Sequence, residues 1–450
     1  MDMMAPNKPP TTLAVNKKRT EISLEGIREK GGAEVCLGLK AEAGGLFSAG
    51  FCPLTDIDAG FALPEGCRAA AWWQTDGLSA VYAEDGYLYV RGSGTFEKTA
   101  AHFDETPACV RAIAEKEVML FSDGEKTVSL TEEGAEETDA VPPFSCAAFC
   151  NDRLWVLTGE ADGNRLRYSA PLDIFDFEER EGEGGHLDLP DAKGKISAMF
   201  VRNGEIAIVR EYGLQMLSAP GDPEKFFLQD LPSFFGRIYA GTACAENGKL
   251  YFLTDRGACV YDGETQSFYP EFSRFLADEP QTGASAAACG GEVVFTLLVR
   301  TGGEVRPAVG VFREDGAGGC LLPADAHAAA VVRTERGLRA AFLSDGRIFC
   351  VAEKGEAVSE GVGYWQSGVF FPFAGGECLL EEMCVRAEGS VSLSVSSEFG
   401  SRRLCACGTG RMKRIRPALR GSAFVFVFET EGRAAVFSLS ASFSKLKQGG

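Results

Sequence analysis

The stretch LYFLTDRGACVYDG, which runs from Leu250 to Gly263, alternates two short apolar strings with two turns. Aromatic and β-branched residues such as Tyr251 and Val260 favour the pleated, half-buried surface of a strand. Asp262 and Gly263 suit the turn that follows, because glycine adopts the positive φ of tight hairpins without a steric penalty. The stretch therefore predicts strand, turn, strand and turn in succession.

The same unit returns along the middle of the chain. Strings of this kind begin at Tyr87, Val118, Leu154, Ile206, Leu250, Val293 and Ala340. The gaps between these starts are 31, 36, 52, 44, 43 and 47 residues, and their average of about 42 lies within the range of roughly 40–50 typical of four-stranded propeller blades. We therefore predict an all-β chain with a six- or seven-bladed β-propeller over residues 61–360. An irregular multi-sheet β domain is the alternative.

The residues after these repeats have a different pattern of apolar and polar residues. Val391–Ser396 and Val436–Phe443 alternate apolar and small polar residues, which is typical of strands with one buried and one wet face. Phe424–Phe428 is apolar throughout and predicts a strand that is buried on both faces. The predicted organisation is a flexible basic arm over 1–20, strands over 21–60 that pack on the propeller or the C-terminal sheet, and a β-sandwich-like domain over 361–447.

The overall charge limits the kinds of partner. Of the 450 residues, 45 are Lys or Arg and 64 are Asp or Glu, which gives a net charge of −19. Such a surface is a poor partner for duplex nucleic acid or an anionic membrane, so nucleic acid is expected at most as DNA passing through a channel. The segment 1–20 lacks the apolar core of a secretory signal. Because the longest uncharged stretch, Gly361–Gly376, is too short to span a bilayer, we expect neither signal-peptide secretion nor membrane insertion.

The 15 cysteines are spread from Cys36 to Cys407 without the CxxC pairs that a zinc ribbon or finger would need. Most of them lie in apolar strings, where a free cysteine behaves as a small buried residue. Packing is therefore the leading interpretation, and a disulfide or a metal site is the alternative. This usage suits a reducing compartment.

The sequence lacks the common signatures of catalysis. It contains no phosphate loop of the form GxxxxGKS or GxxxxGKT, no GxSxG elbow and no HExxH helix. Ser122–Gly124 and Ser344–Gly346 are loosely similar to the Ser-x-Asp-x-Gly boxes of sialidases, but hairpin turns explain them better. We predict a non-enzymatic protein without a cofactor or a metal.

An acidic stretch lies between Asp173 and Asp191. Its candidate partner-binding residues are Asp173, Asp176, Glu178 and Glu179. Clustered carboxylates on a loop could also bind Ca²⁺ or serve as an acid/base pair, but the Asp-x-Asp-x-Asp-Gly spacing of a calcium loop is missing. A solvated loop between blades is the leading interpretation, and a partner-binding loop comes next.

One dense basic run lies in the C-terminal region. It consists of Arg402, Arg403, Arg411, Lys413, Arg414, Arg416 and Arg420. Alternate residues on strands would project several guanidinium groups to one side, a face that suits the carboxylates of a neighbouring subunit. We predict a partner-binding face here. An ordinary solvated face and a nucleic-acid contact are the alternatives, and poor aromatic interleaving opposes the second.

The segment NRLRYSAPLDIFDF, Asn164–Phe177, resembles a segment of tailed-bacteriophage structural proteins, namely the nozzle or tail tubular protein B type and related prophage tail propellers. In that family a similar string precedes a Gly-rich loop and a strand pair, as Gly184–Asp188 and Ile206–Leu217 do here. Arg414–Gly421, which precedes a Phe-rich strand, also resembles the C-terminal ends of such proteins. The resemblance is strong over these segments and loose over the rest of the propeller region, and its motifs are structural turns.

The resemblance implies a non-enzymatic virion component that forms a homo-oligomeric ring with other tail proteins around a central axis. Such a protein is found in the virion, and in the bacterial host cytoplasm during assembly. The chain is shorter than nozzle proteins and richer in cysteine, so a domesticated or siphophage-type tail accessory protein is equally compatible. Two other hypotheses are a carbohydrate-binding or glycan-hydrolysing propeller, which would use exposed aromatics among Trp72, Trp73, Trp155 and Trp365, and a bacterial cytoplasmic scaffold without a phage link.

Overall fold

The computed structural model describes residues 17–22, 24, 33–42, 45–48, 51–54, 63, 69–75, 77–92, 94–231, 236–269, 276, 283–301, 304–313, 320–334, 337–344, 346–352 and 362–446. These residues form 37 β-strands, numbered in chain order, and three short 3₁₀ turns at Ala161–Gly163, Asp191–Lys193 and Pro223–Lys225. The predicted all-β class is confirmed. Within the described ranges no helix is long and apolar enough to cross a membrane. The chain divides into two compact units, Ala49–Glu360, here the propeller unit, and Met1–Ser48 with Gly361–Gly450, here the sheet unit.

The propeller unit contains seven sets of four antiparallel strands in its described residues. Six of these sets are four-stranded sheets: β6–β9 (Ala69–Gln74, Ser79–Ala83, Tyr87–Arg91, Glu97–His102), β10–β13 (Ala108–Ile113, Glu117–Ser122, Thr127–Thr131, Gly134–Glu137), β14–β17 (Cys146–Cys150, Arg153–Thr158, Arg165–Tyr168, Gly185–Asp188), β18–β21 (Ile196–Arg202, Glu205–Arg210, Gly213–Ser218, Phe227–Asp230), β22–β25 (Cys244–Glu246, Lys249–Thr254, Gly257–Tyr261, Gln266–Tyr269), and β30–β32 (Ala328–Thr334, Gly337–Ser344, Arg347–Val351) with β5 (Phe51–Pro53). The seventh set, β26–β29 (Ser285–Cys289, Glu292–Thr301, Glu304–Arg313, Cys320–Leu322), has the same sequential order. The predicted β-propeller of six or seven blades is confirmed.

The apolar strings found in the sequence are mostly the second strands of the blades. Six of the seven strings fall in β11, β15, β19, β23, β27 and β31. The string at Tyr87 is instead β8, the third strand of its blade, whose second strand begins at Ser79. This difference accounts for the short first gap of 31 residues.

The second strands are apolar throughout because each one is buried between two neighbouring blades. In β19, Ile206 and Ile208 join the core that contains Trp155 of the preceding blade. Ala207, between them, joins the core that contains Phe252 of the following blade. Since successive residues of a strand point to opposite faces, both faces of β19 are covered, and a continuous apolar run is required.

Small residues predominate on the first strand of several blades. β14 reads CAAFC, β26 reads SAAAC and β30 begins with AAA. The first strands of neighbouring blades, for example β10 with β14 and β26 with β30, contact one another. Small side chains permit this close approach where the blades converge, because larger ones would overpack the space between them.

The ring of blades is closed by a strand from before the first blade. β5 pairs antiparallel with β32, so that Cys52 lies opposite Cys350. β5 is therefore the outer strand of the last blade, whose first strand contacts β6 of the first blade. The backbone N–H of Arg333 also donates to Gln74 Oε1 across this boundary, at 2.7 Å. Both ends of the repeat array are thus tied together.

Hydrogen bonds join the hairpin turns of successive blades. The turns Asn151-Asp152, Asn203-Gly204, Asn247-Gly248 and Gly290-Gly291 all have positive φ at both residues. Asn151 Nδ2 donates to the carbonyl of Gly204 in the next blade, at 3.0 Å. Glu246 accepts from the backbone N–H groups of Gly290 and Gly291 in the blade after its own, at 2.5 and 3.2 Å. These bonds fix each turn against its neighbour.

The sheet unit is built on three long strands. Its strands are β1 (Lys17–Ile22), β2 (Ala33–Leu37), β3 (Leu39–Glu42), β4 (Gly45–Ser48), β33 (Val362–Ser367), β34 (Cys378–Ser397), β35 (Gly400–Ile415), β36 (Leu419–Gly421) and β37 (Phe424–Lys445). β37 pairs with β34 along one side, and with β33, β4 and β1 along the other. Residues 1–16 of the predicted basic arm lie outside the described residues, whereas Lys17–Thr20 belong to β1.

The predicted β-sandwich is a single sheet that bends back on itself. β37 has 22 residues and would be about 70 Å long if it were straight. The rings of Phe424 and Phe443, near its two ends, are nevertheless only 5.2 Å apart. Register shifts, including one between Gly389 and Ser390 of β34, mark β-bulges of the kind that bend strands. The two halves of the bent sheet thus share one core.

The contact between the two halves can be tested with a matched pair of substitutions. Phe443 is fully buried, whereas Phe399 is 58% exposed. We expect Phe443→Ala to lower the free energy of unfolding by about 3–5 kcal/mol, because it leaves a cavity in the core. Phe399→Ala should change it by no more than about 0.5 kcal/mol. Urea unfolding followed by tryptophan fluorescence measures both, and equal effects would contradict the shared core.

Candidate functional site

The acidic stretch Asp173–Asp191, predicted as a loop between blades, lies mostly within one blade, in the loop that connects Tyr168 of β16 to Gly185 of β17. A buried arginine anchors this loop. Arg153 begins the second strand of its blade and is 1% exposed. Its guanidinium donates to four backbone carbonyls, those of Ser169, Gly182, Glu183 and Gly221. The first three of these carbonyls flank the loop, so one side chain holds both of its ends.

The carboxylates of this loop are paired within it. Arg180 makes ion pairs with Asp176, Glu178 and Glu183. Glu179 Oε1 lies 2.8 Å from His186 Nδ1. Asp173 Oδ1 accepts the backbone N–H of Phe175 at 3.1 Å, as an aspartate does in an Asx turn. Asp176 and Glu178 therefore already have a side-chain partner inside the loop, and Glu179 has one on β17.

The same loop borders an open cleft of about 640 Å³. Asp173, Asp176, Glu178 and Glu179 line it together with Arg167, whose guanidinium donates to the carbonyl of Phe177 at 3.1 Å. Phe175, 37% exposed, is also part of the lining. Among the described residues no group of three or more His, Cys, Asp or Glu side chains could hold a metal ion.

The predicted basic residues gather on one edge of the bent sheet. Arg402, Arg403, Arg411, Lys413 and Arg414 belong to β35, whereas Arg420 is on β36 and Arg416 lies between the two strands. In the described part of the chain, β34 is the one long strand that pairs with β35. The other edge of β35 therefore presents backbone donors and acceptors beside the cationic side chains.

Two of these arginines are engaged within the sheet unit. Arg403 pairs with Glu429 at 3.0 Å, and Arg420 pairs with Glu377 while lying over the ring of Phe399. By contrast, four exposed arginines have side chains without a hydrogen bond or ion pair to any described residue, namely Arg402, Arg411, Arg414 and Arg416. Their guanidinium groups are available to an external carboxylate.

The two units carry opposite net charges. Residues 49–360 contain 27 Lys and Arg against 51 Asp and Glu, a net charge of −24. The remaining residues contain 18 and 13, a net charge of +5, and the two values together give the chain's −19. The basic run thus belongs to a cationic unit of a chain that is acidic as a whole.

A second acidic segment, which is not among the predicted sites, lies at the outer strand of a blade. β13 reads GAEE, and carboxylates flank it on both sides within Glu132–Asp139. The signal available in the sequence was this eight-residue run, which contains five carboxylates and no Lys or Arg. Its position at an edge follows only from the sheet order, in which β13 comes last.

The remaining candidates from the sequence are the four tryptophans and the two Ser-Asp-Gly turns. Trp155 and Trp365 are fully buried and Trp72 is 5% exposed, while Trp73 is half-buried with its ring 5.0 Å from that of Phe121. None of them forms an exposed stacking platform. Asp123 Oδ1 accepts from the backbone of the following turn, Glu125 and Lys126, as the turn interpretation of Ser122–Gly124 predicts. Asp345 lies outside the described residues.

Together, a ring of four-stranded blades and a bent sheet with a basic edge define a β-propeller protein with an appended sheet unit. No protein-family model matches the chain, and no curated protein sequence matches it either. The strand order within the chain is therefore what establishes its class.

Solved structures similar to this chain include three of different origin. The extracellular domain of the hybrid two-component system BT4673 from B. thetaiotaomicron aligns at a TM-score of 0.44 and 10% identity, over 82% of this chain and 47% of that one. The computationally designed Ika8 protein aligns at 0.40 and 11%, over 65% and 99%. The WD40 domain of Neurospora crassa Pan2 aligns at 0.39 and 9%, over 65% and 91%. The chain thus spans about half the length of the first of these.

The anchoring role of Arg153 predicts a large loss of stability when it is replaced. Arg153→Met should lower the free energy of unfolding by at least about 3 kcal/mol, because buried carbonyls lose their donor. Arg180→Met, in the same loop, removes only exposed ion pairs and should leave the stability almost unchanged. Limited proteolysis should cut the loop between Tyr168 and Gly185 faster in the first variant. Equal stabilities of the two variants would contradict the anchor.

Two thiols that pack in the blade cores, the half-buried Cys146 and the buried Cys259, give a second measurable expectation. Burial raises the pKa of Cys146 and of Cys259 to about 12, so almost none of either is thiolate at pH 8. Since the thiolate is the nucleophile, iodoacetamide should alkylate both at least about 100-fold more slowly in the native protein than in urea. Peptide mass spectrometry over a time course measures the ratio. Similar native and unfolded rates would show that these thiols are accessible.

Proposed function

We propose that the protein is a non-enzymatic structural component of a phage or prophage tail assembly, in which it acts as a rigid platform for docking other proteins. One observation carries the proposal: a closed ring of blades is combined with a sheet edge that displays four arginines without partners among the described residues. The first feature supplies stiffness and the second supplies a place for a partner.

Stiffness follows from how the blades are joined. Each second strand packs on two neighbours, the turns of successive blades are hydrogen-bonded, and β5 ties the last blade to the segment before the first. Buried anchors such as Arg153 also hold a long surface loop in place. A ring built in this way can present its loops to partners at fixed positions.

The arginines of the basic edge and the net charge of the chain favour a protein partner over nucleic acid. Arginine in particular forms bidentate pairs with carboxylates and is enriched at protein interfaces. The net charge of −24 on the propeller unit would repel a polyanion approaching most of the chain. The resemblance of Asn164–Phe177 to tail propellers adds the context, a ring of subunits joined to other tail proteins within the virion.

The proposal is tested on particles and on purified protein. Tail-containing particles induced from the host strain should contain the chain as a stoichiometric component when their peptides are counted by mass spectrometry. Mass photometry of the purified chain, mixed with the product of each neighbouring gene in turn, should detect a complex with at least one of them. Absence from the particles, together with a monomer that binds none of these products, would overturn the proposal.

A matched pair of variants locates the docking surface in the same assay. Arg402→Glu with Arg411→Glu reverses two exposed charges of β35, and should weaken a complex formed there at least about tenfold. Arg306→Glu with Arg237→Glu makes the same change in net charge on the propeller unit and should leave the complex intact. Equal effects of the two pairs would place the partner elsewhere.

A further inference from the structure

β35 and β13 lie at sheet edges of opposite charge, and each has the features needed to pair with the other. β35 carries Arg402, Arg411 and Arg414 without partners among the described residues, next to a free backbone edge. β13 is the last strand of its sheet and lies within the carboxylate run Glu132–Asp139. Each edge offers backbone hydrogen bonds and a set of charges that the other would neutralise.

The backbone of β13 has donors and acceptors that face outward. The N–H of Thr138 donates to the carbonyl of Thr127 at 2.9 Å, so this pair belongs to the hydrogen-bonded positions of the β12–β13 ladder. Such positions alternate along an antiparallel pair. Ala135 and Glu137, opposite Leu130 and Val128, therefore direct their N–H and C=O groups away from β12. These groups are available to a further strand.

The side chains of β13 are free to meet a cationic partner. Glu132, Glu133, Glu136, Glu137 and Asp139 are all exposed. Glu133 forms an ion pair with Lys116 at 3.7 Å, between two strongly exposed side chains. Exposed pairs of this kind contribute little and give way readily to a better-placed arginine.

The charges also determine which edges can pair. Two copies of β35 would place arginine against arginine, and two copies of β13 would place glutamate against glutamate. Like charges opposite each other destabilise a strand pair, and charged edges prevent edge-to-edge aggregation for this reason. The pairing of β13 with β35 is the combination that satisfies both edges.

We propose that β13 of one copy of this chain adds to the free edge of β35 of a second copy and so extends the bent sheet across the interface. The inference rests on the proposed docking function, since it identifies a partner for the basic edge. Because each copy offers one edge of each kind, the contact is head-to-tail, and repetition of it gives a closed ring or a filament.

Charge reversal tests the pairing in both directions. Glu136→Lys with Glu137→Lys, and separately Arg411→Glu with Arg414→Glu, should each weaken self-association at least about tenfold. Neither variant should self-associate alone, but a mixture of the two should associate with alternating copies, because each edge of one variant meets an oppositely charged edge of the other. A chain with all four substitutions should associate again. Mass photometry at 50 and 500 mM NaCl counts the copies.

Two controls separate strand addition from general electrostatics. Glu224→Lys with Glu264→Lys changes the net charge as much as the β13 pair, at exposed positions in two other blades, and should leave association unchanged. Ala135→Pro removes an outward N–H without altering charge, and should weaken association at least about tenfold. Its unfolding midpoint should stay near that of the parent, because the lost donor does not serve the β12–β13 ladder.

The outcomes distinguish this inference from the proposed function. The β13–β35 pairing is overturned if the chain stays monomeric at 50 mM NaCl. It is also overturned if neither pair of charge-reversal substitutions changes self-association. If that monomer still binds a tail protein through β35, the docking platform stands. If the chain self-associates as described but is absent from tail particles, the tail assignment fails and the strand pairing stands.

Discussion

The closure of the blade ring is the constraint on which the rest of the propeller unit depends. A blade alone exposes both faces of its sheet, and each second strand here is apolar on both. Only a complete circle covers every face, and the circle is completed by the short strand β5 on β32, together with the contact of β30 with β6. The turn-to-turn hydrogen bonds and the loop anchors act on a framework that this closure makes rigid.

The local content of the fold could be predicted from the sequence. Short apolar strings that recur at blade-length intervals predicted blades, because the second strand of a blade must be apolar throughout. The pairing of β5 with β32 could not be predicted, since the strand is very short and has little pattern of its own. The bend of the sheet unit was also missed. The alternation of apolar and polar residues along β37 indicates which side chains are buried. The bulges and the contact of Phe424 with Phe443 depend on the whole sheet, so the sequence of one strand does not indicate them.

The charged regions could be found in the sequence, but their bonding could not. The basic run was visible as a cluster, while the difference between Arg403, which is paired, and Arg411, which has no described partner, follows from which strands lie beside β35. The acidic loop was visible too, yet a distant residue, Arg153, holds it, and nothing local to the loop indicates that. β13 was overlooked because five carboxylates in a turn-rich stretch are ordinary, and only the sheet order places them on an edge.

The position of β5 also determines the order in which the molecule can be assembled during synthesis. Cys52 leaves the ribosome long before Cys350, the residue that it lies opposite, so the early strand waits while every blade is made. Contacts of such long sequence separation give a high contact order and slow folding. Until the last blade emerges, the first blades form an open arc with an uncovered face, which is the state that chaperones protect in large β proteins.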